Sequence, residues 1–206
     1  MPFKPNEREY RSVGGISFEE SSGGVLIVRG TPVVFDKTTC LFEDENGTKY
    51  YERIDRAAFA SCDMRDFIFN HNHGTNDPTV YARTRNGTLS YTITDTGLEC
   101  EMRLNNEDER HRSLWRDIRS GLIDGMSFSF LTEINGDEYD INTHTRTVRR
   151  IKKLFDVSAV DFPAYDDTSI SARSASGFFS VEHAKELAAL EQAAERRQRL
   201  IALTHI

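Results

Sequence analysis

Residues 79–104 have the pattern of three short β-strands joined by two tight turns. The strand-like runs are 79–83, 88–94 and 98–104, and the turns contain Asn86-Gly87 and Asp95-Thr-Gly97. Asn-Gly between two such runs is a strong hairpin signal. The last run alternates, with apolar side chains at Leu98, Cys100, Met102 and Leu104 and charged ones between them. This alternation predicts an antiparallel sheet with one face on the core and one in water.

Two other segments have helical spacing. The first begins after Asn105 or Asn106, either of which can cap it, and continues to about Ser120. The second is alanine-rich and begins at Ser180. The sequence therefore predicts an α+β fold, with a mainly antiparallel sheet core, surrounding helices and a C-terminal helix. We expect an N-terminal arm over 1–24, a main domain over 25–175 and a helical tail over 176–206.

Charge and cysteine content limit the classes of partner. The chain has 26 Lys and Arg against 33 Asp and Glu, a formal net charge of -7, which argues against binding to nucleic acid or an anionic membrane. No stretch approaches the roughly twenty apolar residues of a membrane span. The three cysteines are scattered, so neither a disulfide framework nor a zinc ribbon is indicated, and a reducing cytoplasm fits. A protein is the expected partner.

A serine pair stands out in residues 125–132, where the pattern returns to period two. Met126, Phe128 and Phe130 share one face of this predicted strand, and Ser127 and Ser129 share the other. A rigid strand that directs a hydroxyl away from the core suits a nucleophile. Serines also alternate with apolar residues in many half-exposed strands, and periodicity cannot choose between these two.

Two histidines follow an apolar run and precede a glycine. His71 comes directly after 67–70, near the end of a buried element, where a general base could work, although a surface-loop histidine has the same pattern. His73 adds the possibility of a metal pair with His71. Two histidines with no nearby cysteine and no H-E-x-x-H helix make a poor zinc site, so we predict no metal and no cofactor.

Asp156 is a lone carboxylate in an otherwise largely apolar strand. Burial of an unpaired charge is costly, so such a group normally has a partner. A histidine is one suitable partner. Position alone favours the nearby cations Arg149, Arg150, Lys152 and Lys153.

Four stretches, taken in order, resemble the motifs of the prohead protease family of tailed phages. They are 51–59, the F-N-H-N of 69–72, the G-L-I-D-G-M-S-F-S-F of 121–130, and 150–165 with its D-V-S and P-A-Y. The resemblance covers about residues 25–173. The family shares its fold with herpesvirus assemblin proteases, which implies a β-barrel-like core for this chain.

The resemblance also implies a catalytic set. It selects Ser127 as nucleophile and His71 as general base, and it places Asp156 third, at a position where the family more often has Glu. The herpesvirus relatives use a histidine in the third role, which makes His144 an alternative. The oxyanion donors would be backbone N–H groups near Ser127 or the side chain of Arg149 or Arg150.

The function implied by the resemblance is that of a serine endopeptidase of phage head maturation. It would cleave scaffold proteins, capsid proteins and itself inside the assembling prohead in the host cytoplasm, and it would self-associate. An idle capsid-assembly or scaffolding protein with the protease fold is the alternative. A metal-dependent hydrolase that uses His71 and His73 is a third possibility.

Overall fold

The computed structural model describes residues 8–20 and 25–161, together with the single positions 185, 188, 192 and 196. The strands are β1 Glu9–Glu20, β2 Leu26–Val34, β3 Thr39–Glu43, β4 Lys49–Ile54, β5 Ile68–His71, β6 Ala82–Arg83, β7 Leu89–Ile93, β8 Gly97–Leu104, β9 Gly125–Thr132, β10 Asp137–Asp140, β11 Thr145–Val148 and β12 Ile151–Val160. One α-helix, α1 (Glu109–Ser120), lies in the described ranges, with 3-10 turns at Arg56–Phe59, Asn72–Gly74 and Thr84–Asn86.

Eight strands form one sheet that almost closes into a barrel. Their order is β6-β5-β12-β9-β1-β2-β8-β7, and β6 at one edge contacts β7 and β8 at the other. A second sheet has the order β10-β11-β4-β3. Most neighbours are antiparallel, whereas β12 with β5 and β11 with β4 are parallel. The predicted barrel-like sheet core is therefore confirmed.

Surrounding helices, which the sequence predicts, are not found in the two continuous ranges that the structure describes. Within residues 8–20 and 25–161 there is one α-helix rather than several, and it buries Leu114, Trp115 and Ile118. This helix begins later than expected, because Asp108 rather than Asn105 or Asn106 accepts a hydrogen bond from the backbone N–H of Arg110. The predicted C-terminal helix from Ser180 lies outside the described residues except for the four single positions. No helix within the described residues is long and apolar enough to cross a bilayer.

The alternation of 98–104 is confirmed by burial. Leu98, Cys100, Met102 and Leu104 are buried in β8, and their charged neighbours face outward. The strand expected over 79–83 shrinks to Ala82–Arg83. Asp77 accounts for the difference, because its carboxylate accepts bonds from the backbone of Thr79 and the hydroxyl of Tyr81 and so holds a turn.

Residues 9–20 lie at the centre of the large sheet, although the sequence predicts an arm over 1–24. The first half of β1 pairs with β9, with Ser12 opposite Ser127, and the second half pairs with β2. The pairing shifts between Ser12 and Gly15, so one strand serves two neighbours. Such pairing across more than a hundred residues has no local sequence signal.

A network of buried ion pairs connects the start of β1 to the second sheet. Arg11 donates to Glu9 at 2.9 Å and to Glu52 of β4 at 2.7 Å, and Arg146 of β11 bonds Glu52 at 2.9 Å. Burial raises the pKa of Glu9, but Arg146 and Arg11 outweigh burial and hold this pKa at about 2. Glu9 is therefore ionised at neutral pH, and each carboxyl group of the network lies beside a guanidinium group.

Replacing Arg146 with alanine is expected to lower the free energy of unfolding by about 3–5 kcal/mol, because Glu9 and Glu52 would stay buried with less compensation. Urea unfolding followed by circular dichroism measures the change. Arg149→Ala is the matched control, since Arg149 pairs with Glu138 at the surface and such pairs contribute about 1 kcal/mol or less. Equal stability of the two variants would contradict a structural role for the network.

Candidate active site

Ser127 lies near the start of β9, between β1 and β12. Met126, Phe128 and Phe130 point into the core as the alternation predicts. The opposite face is not solvent-exposed, since Ser127 is only 1% exposed and Ser129 is fully buried. Residues from the loop after β5 and from the start of β1 cover this face.

His73 joins the serine to a carboxylate. Its Nε2 lies 2.7 Å from Ser127 Oγ, and its Nδ1 lies 2.7 Å from Oδ1 of Asp156. The edge of the Tyr10 ring packs on the imidazole, with ring centroids 4.7 Å apart. With the Nδ1 proton on the bond to Asp156, Nε2 has a free lone pair facing the serine hydroxyl.

His71, the base expected from the sequence, occupies a different position. It is the last residue of β5 and its Nε2 lies 2.6 Å from Oδ1 of Asp161. The backbone then reverses through left-handed conformations at Asn72 and His73, which turns His73 rather than His71 towards Ser127. The resemblance F-N-H-N carries no signal of this reversal. The only hint of the reversal in the sequence is that Asn72 and Gly74 flank His73, since Asn and Gly tolerate positive φ.

Asp156 is fully buried in β12, opposite Ser129. Besides His73, it accepts a hydrogen bond from Ser158 Oγ at 2.7 Å and bonds from the Ser129 hydroxyl and the Arg8 guanidinium. Burial raises the pKa of Asp156, but the hydrogen bond and charge of His73 and the two serine hydroxyls outweigh it and lower the pKa below its usual value. The carboxylate is therefore ionised, and it can accept a hydrogen bond from the Nδ1–H of His73.

The cations near Asp156 in sequence are not its partners. Arg149 pairs with Glu138 at 2.7 Å, Arg150 pairs with Glu133 at 3.0 Å, and Lys153 lies over the Phe155 ring. These contacts lie towards the opposite end of β12 from Ser158, which pairs with Ser127. Sequence reasoning missed Arg8, which approaches from the segment before β1. The expected oxyanion roles of Arg149 and Arg150 therefore find no support in the geometry.

His144, the alternative third member, lies at the turn between β10 and β11. Its Nδ1 is 3.0 Å from the hydroxyl of Tyr139, and its ring packs on Tyr50 of the second sheet. The structure brings Ser127 and Asp156 together and leaves His144 in another cluster. Within the described ranges, no group of three or more His, Cys, Asp or Glu side chains is placed to hold a metal ion.

The serine hydroxyl has a second acceptor besides the imidazole. Ser127 Oγ lies 2.8 Å from the carbonyl oxygen of Arg11 in β1. A hydroxyl has one proton, so Ser127 donates either to this carbonyl or to Nε2 of His73. The arrangement can support proton transfer from serine to histidine, with the start of β1 competing for the proton.

Comparisons with known proteins point to one family. A family model described as caudovirus prohead serine protease matches residues 16–183. No curated protein sequence matches the chain. Among solved structures, that of the bacteriophage T4 capsid assembly protease, gp21, matches with a TM-score of 0.48 and 14% sequence identity, over 76% of this chain and 99% of that chain.

Proposed function

This chain belongs to the caudovirus prohead serine protease family, and from that premise we propose that Ser127, His73 and Asp156 form its catalytic triad. The observation that carries the proposal is the unbroken series of hydrogen bonds, 2.7 Å from Ser127 Oγ to Nε2 of His73 and 2.7 Å from Nδ1 to Asp156. Nucleophile, base and orienting carboxylate are recognised by such geometry rather than by sequence position. The proposal replaces His71 as base with His73.

In the proposed reaction, Nε2 of His73 takes the proton of Ser127 as Oγ attacks a peptide carbonyl. Asp156 keeps the imidazole in the Nδ1-protonated tautomer and stabilises the imidazolium that forms. His73 then gives the proton to the leaving amine, and an acyl group remains on Ser127. A water molecule, deprotonated by the same imidazole, hydrolyses this ester.

The shorter carboxylate at position 156 fits this role. Where the family more often has Glu, Asp156 reaches Nδ1 of His73 at 2.7 Å. Three further donors, on Ser129, Ser158 and Arg8, fix the carboxylate from its other sides. A carboxylate held in this way presents one oxygen to the histidine without needing the additional methylene of Glu.

We propose that the substrates are capsid-assembly proteins, and that cleavage takes place within the assembling phage capsid in the host cell. Family membership supports a protease of capsid maturation. Scaffold proteins, the N-terminal segment of the capsid protein and the protease itself are the proposed targets. We also propose self-association, which would retain the enzyme in the shell. An idle assembly protein with the same fold is the alternative, and it needs no reactive serine.

A small organophosphorus inhibitor of serine hydrolases, diisopropyl fluorophosphate, separates these functions. The enzyme is expected to form one adduct, on the peptide that contains Ser127, because only a serine activated by its histidine reacts readily with this reagent. Mass spectrometry of the digested chain locates the adduct. Heat-denatured protein and a His73→Ala variant are the controls, and both should stay unlabelled. Absence of an adduct in the folded wild-type chain would favour the idle assembly protein.

A further inference from the structure

The loop that carries His73 has an unusual backbone. Three consecutive residues, Asn72, His73 and Gly74, have φ values of 48°, 57° and 70°. Glycine adopts this left-handed region freely, whereas L-residues with side chains adopt it rarely and at a cost. Two of the three positions therefore need outside support. Backbone strain of this kind persists where the surroundings fix it, and it is concentrated at functional sites.

Asp161 supplies much of this support. One carboxylate oxygen lies 2.6 Å from Nε2 of His71, and the other accepts a hydrogen bond from Nδ2 of Asn72 at 2.7 Å. The backbone N–H of Asp161 donates to Oδ1 of Asn72 at 3.3 Å. His71, which precedes the chain reversal, and Asn72, its first left-handed residue, are thus both bonded to Asp161. We call His71, Asn72 and Asp161 the clamp.

The clamp links the loop that carries His73 to the strand that carries Asp156. His71 ends β5, which pairs in parallel with β12, and Asp161 directly follows the end of β12. β12 also carries Asp156, so the clamp fastens the loop of His73 to the strand that holds its carboxylate partner. The side chains of His71 and Asp161 are 26% and 43% exposed, so water could solvate them without this pairing.

We propose that His71, Asn72 and Asp161 are positioning residues that hold the imidazole of His73 between Ser127 and Asp156. The inference rests on the proposed function, in which His73 is the general base. Each ring nitrogen of His73 makes a 2.7 Å contact, so a shift of the loop would lengthen one or both. Burial raises the pKa of Asp161, but its bonds to Asn72 and His71 outweigh burial and lower it, which keeps the carboxylate ionised.

The test measures the rate at which diisopropyl fluorophosphate inactivates the full chain, resolved into the maximal rate constant and the apparent affinity. Asp161→Ala is expected to lower the maximal rate constant about 10- to 100-fold, since misplacement of a catalytic group by about 1 Å costs about that much. The apparent affinity for the reagent should not change. His71→Ala should have a similar effect, because it removes the other half of the same bond.

Asp161→Asn distinguishes positioning from loss of folding. The amide oxygen can still accept from Asn72, and its NH₂ can donate to Nε2 of His71 once His71 adopts the Nδ1-protonated tautomer. This variant should therefore recover most of the rate lost in Asp161→Ala. Asn72→Gly relieves backbone strain and removes the side chain that bonds Asp161. This variant should fold normally but react slowly with diisopropyl fluorophosphate. Asp140→Ala is the matched control, since it removes a carboxylate at the end of β10 that accepts a bond from the backbone N–H of Asn142, and it should label at the wild-type rate.

Three outcomes would overturn the inference. If Asp161→Ala and His71→Ala label at the wild-type rate, the clamp has no positioning role, and the proposed triad is unaffected. If Asp161→Ala and Asp161→Asn lower the maximal rate constant equally, the negative charge of Asp161, rather than its two hydrogen bonds, is what the labelling rate depends on. Complete loss in His71→Ala with normal labelling of His73→Ala would make His71 the base, and the proposed triad would fail together with the clamp.

Discussion

Ser127→Ala is expected to abolish cleavage when the chain is expressed with its scaffold and capsid proteins, with a fall in kcat on the order of 10⁴- to 10⁶-fold. In the proposed mechanism, the acyl-enzyme forms on Ser127 Oγ, which lies 2.7 Å from Nε2 of His73, and alanine has no oxygen to take its place. Mass spectrometry of the co-expressed proteins measures the loss. Every cleavage product seen with the wild-type chain should be missing.

The fold should survive this change. Ser127 is buried, but alanine removes one oxygen and leaves the strand pairing of β9 with β1 and β12 intact. The carbonyl of Arg11 loses one donor, which costs about 1 kcal/mol. A far-ultraviolet circular dichroism spectrum like that of the wild type, with a small fall in melting temperature, is therefore expected.

Ser129→Ala is the matched control, because Ser129 lies on the same face of the same strand and also bonds Asp156. Asp156 would keep its contacts with His73, Ser158 and Arg8, so we expect cleavage to continue. An inactive Ser129 variant beside an active Ser127 variant would show that the nucleophile has been assigned to the wrong serine.

The features predictable from the sequence are those with a local cause. Alternation of period two identified the core face of β8 and the strand of Ser127, because successive side chains of a strand point to opposite faces whatever the rest of the chain does. A lone carboxylate in an apolar strand indicated a partner for Asp156, since an isolated buried charge is too costly. Both inferences depend only on neighbouring residues.

The features that were missed depend on contacts distant in sequence or on backbone reversal. Pairing of Ser12 with Ser127 makes β1 a central strand, and the Arg8 guanidinium reaches Asp156 from the same segment. That His73 rather than His71 contacts Ser127 depends on three left-handed residues, next to which His71 and Asn72 bond Asp161. Sequence spacing places both histidines close to the site, and only the path of the backbone decides which one faces Ser127.

The proposed role of His73 as general base leads to the other large expected effect. His73→Ala is expected to lower kcat on the order of 10⁴- to 10⁶-fold, as much as Ser127→Ala, and the double variant should be hardly worse than either. Members of one catalytic unit are strongly non-additive, because the loss of either partner already prevents activation of the nucleophile. Cleavage rates of the two single variants and the double variant measure this.

The His73 variant should remain folded and should respond to added imidazole. Asp156 would lose one partner but keep its bonds from Ser129, Ser158 and Arg8, so its charge stays compensated. Removing the ring leaves a space between Ser127 and Asp156 that free imidazole can enter, and partial recovery of cleavage is the expected result. Additive losses from His73→Ala and Ser127→Ala, or a His73 variant as active as the wild type, would show that the proton of Ser127 goes elsewhere.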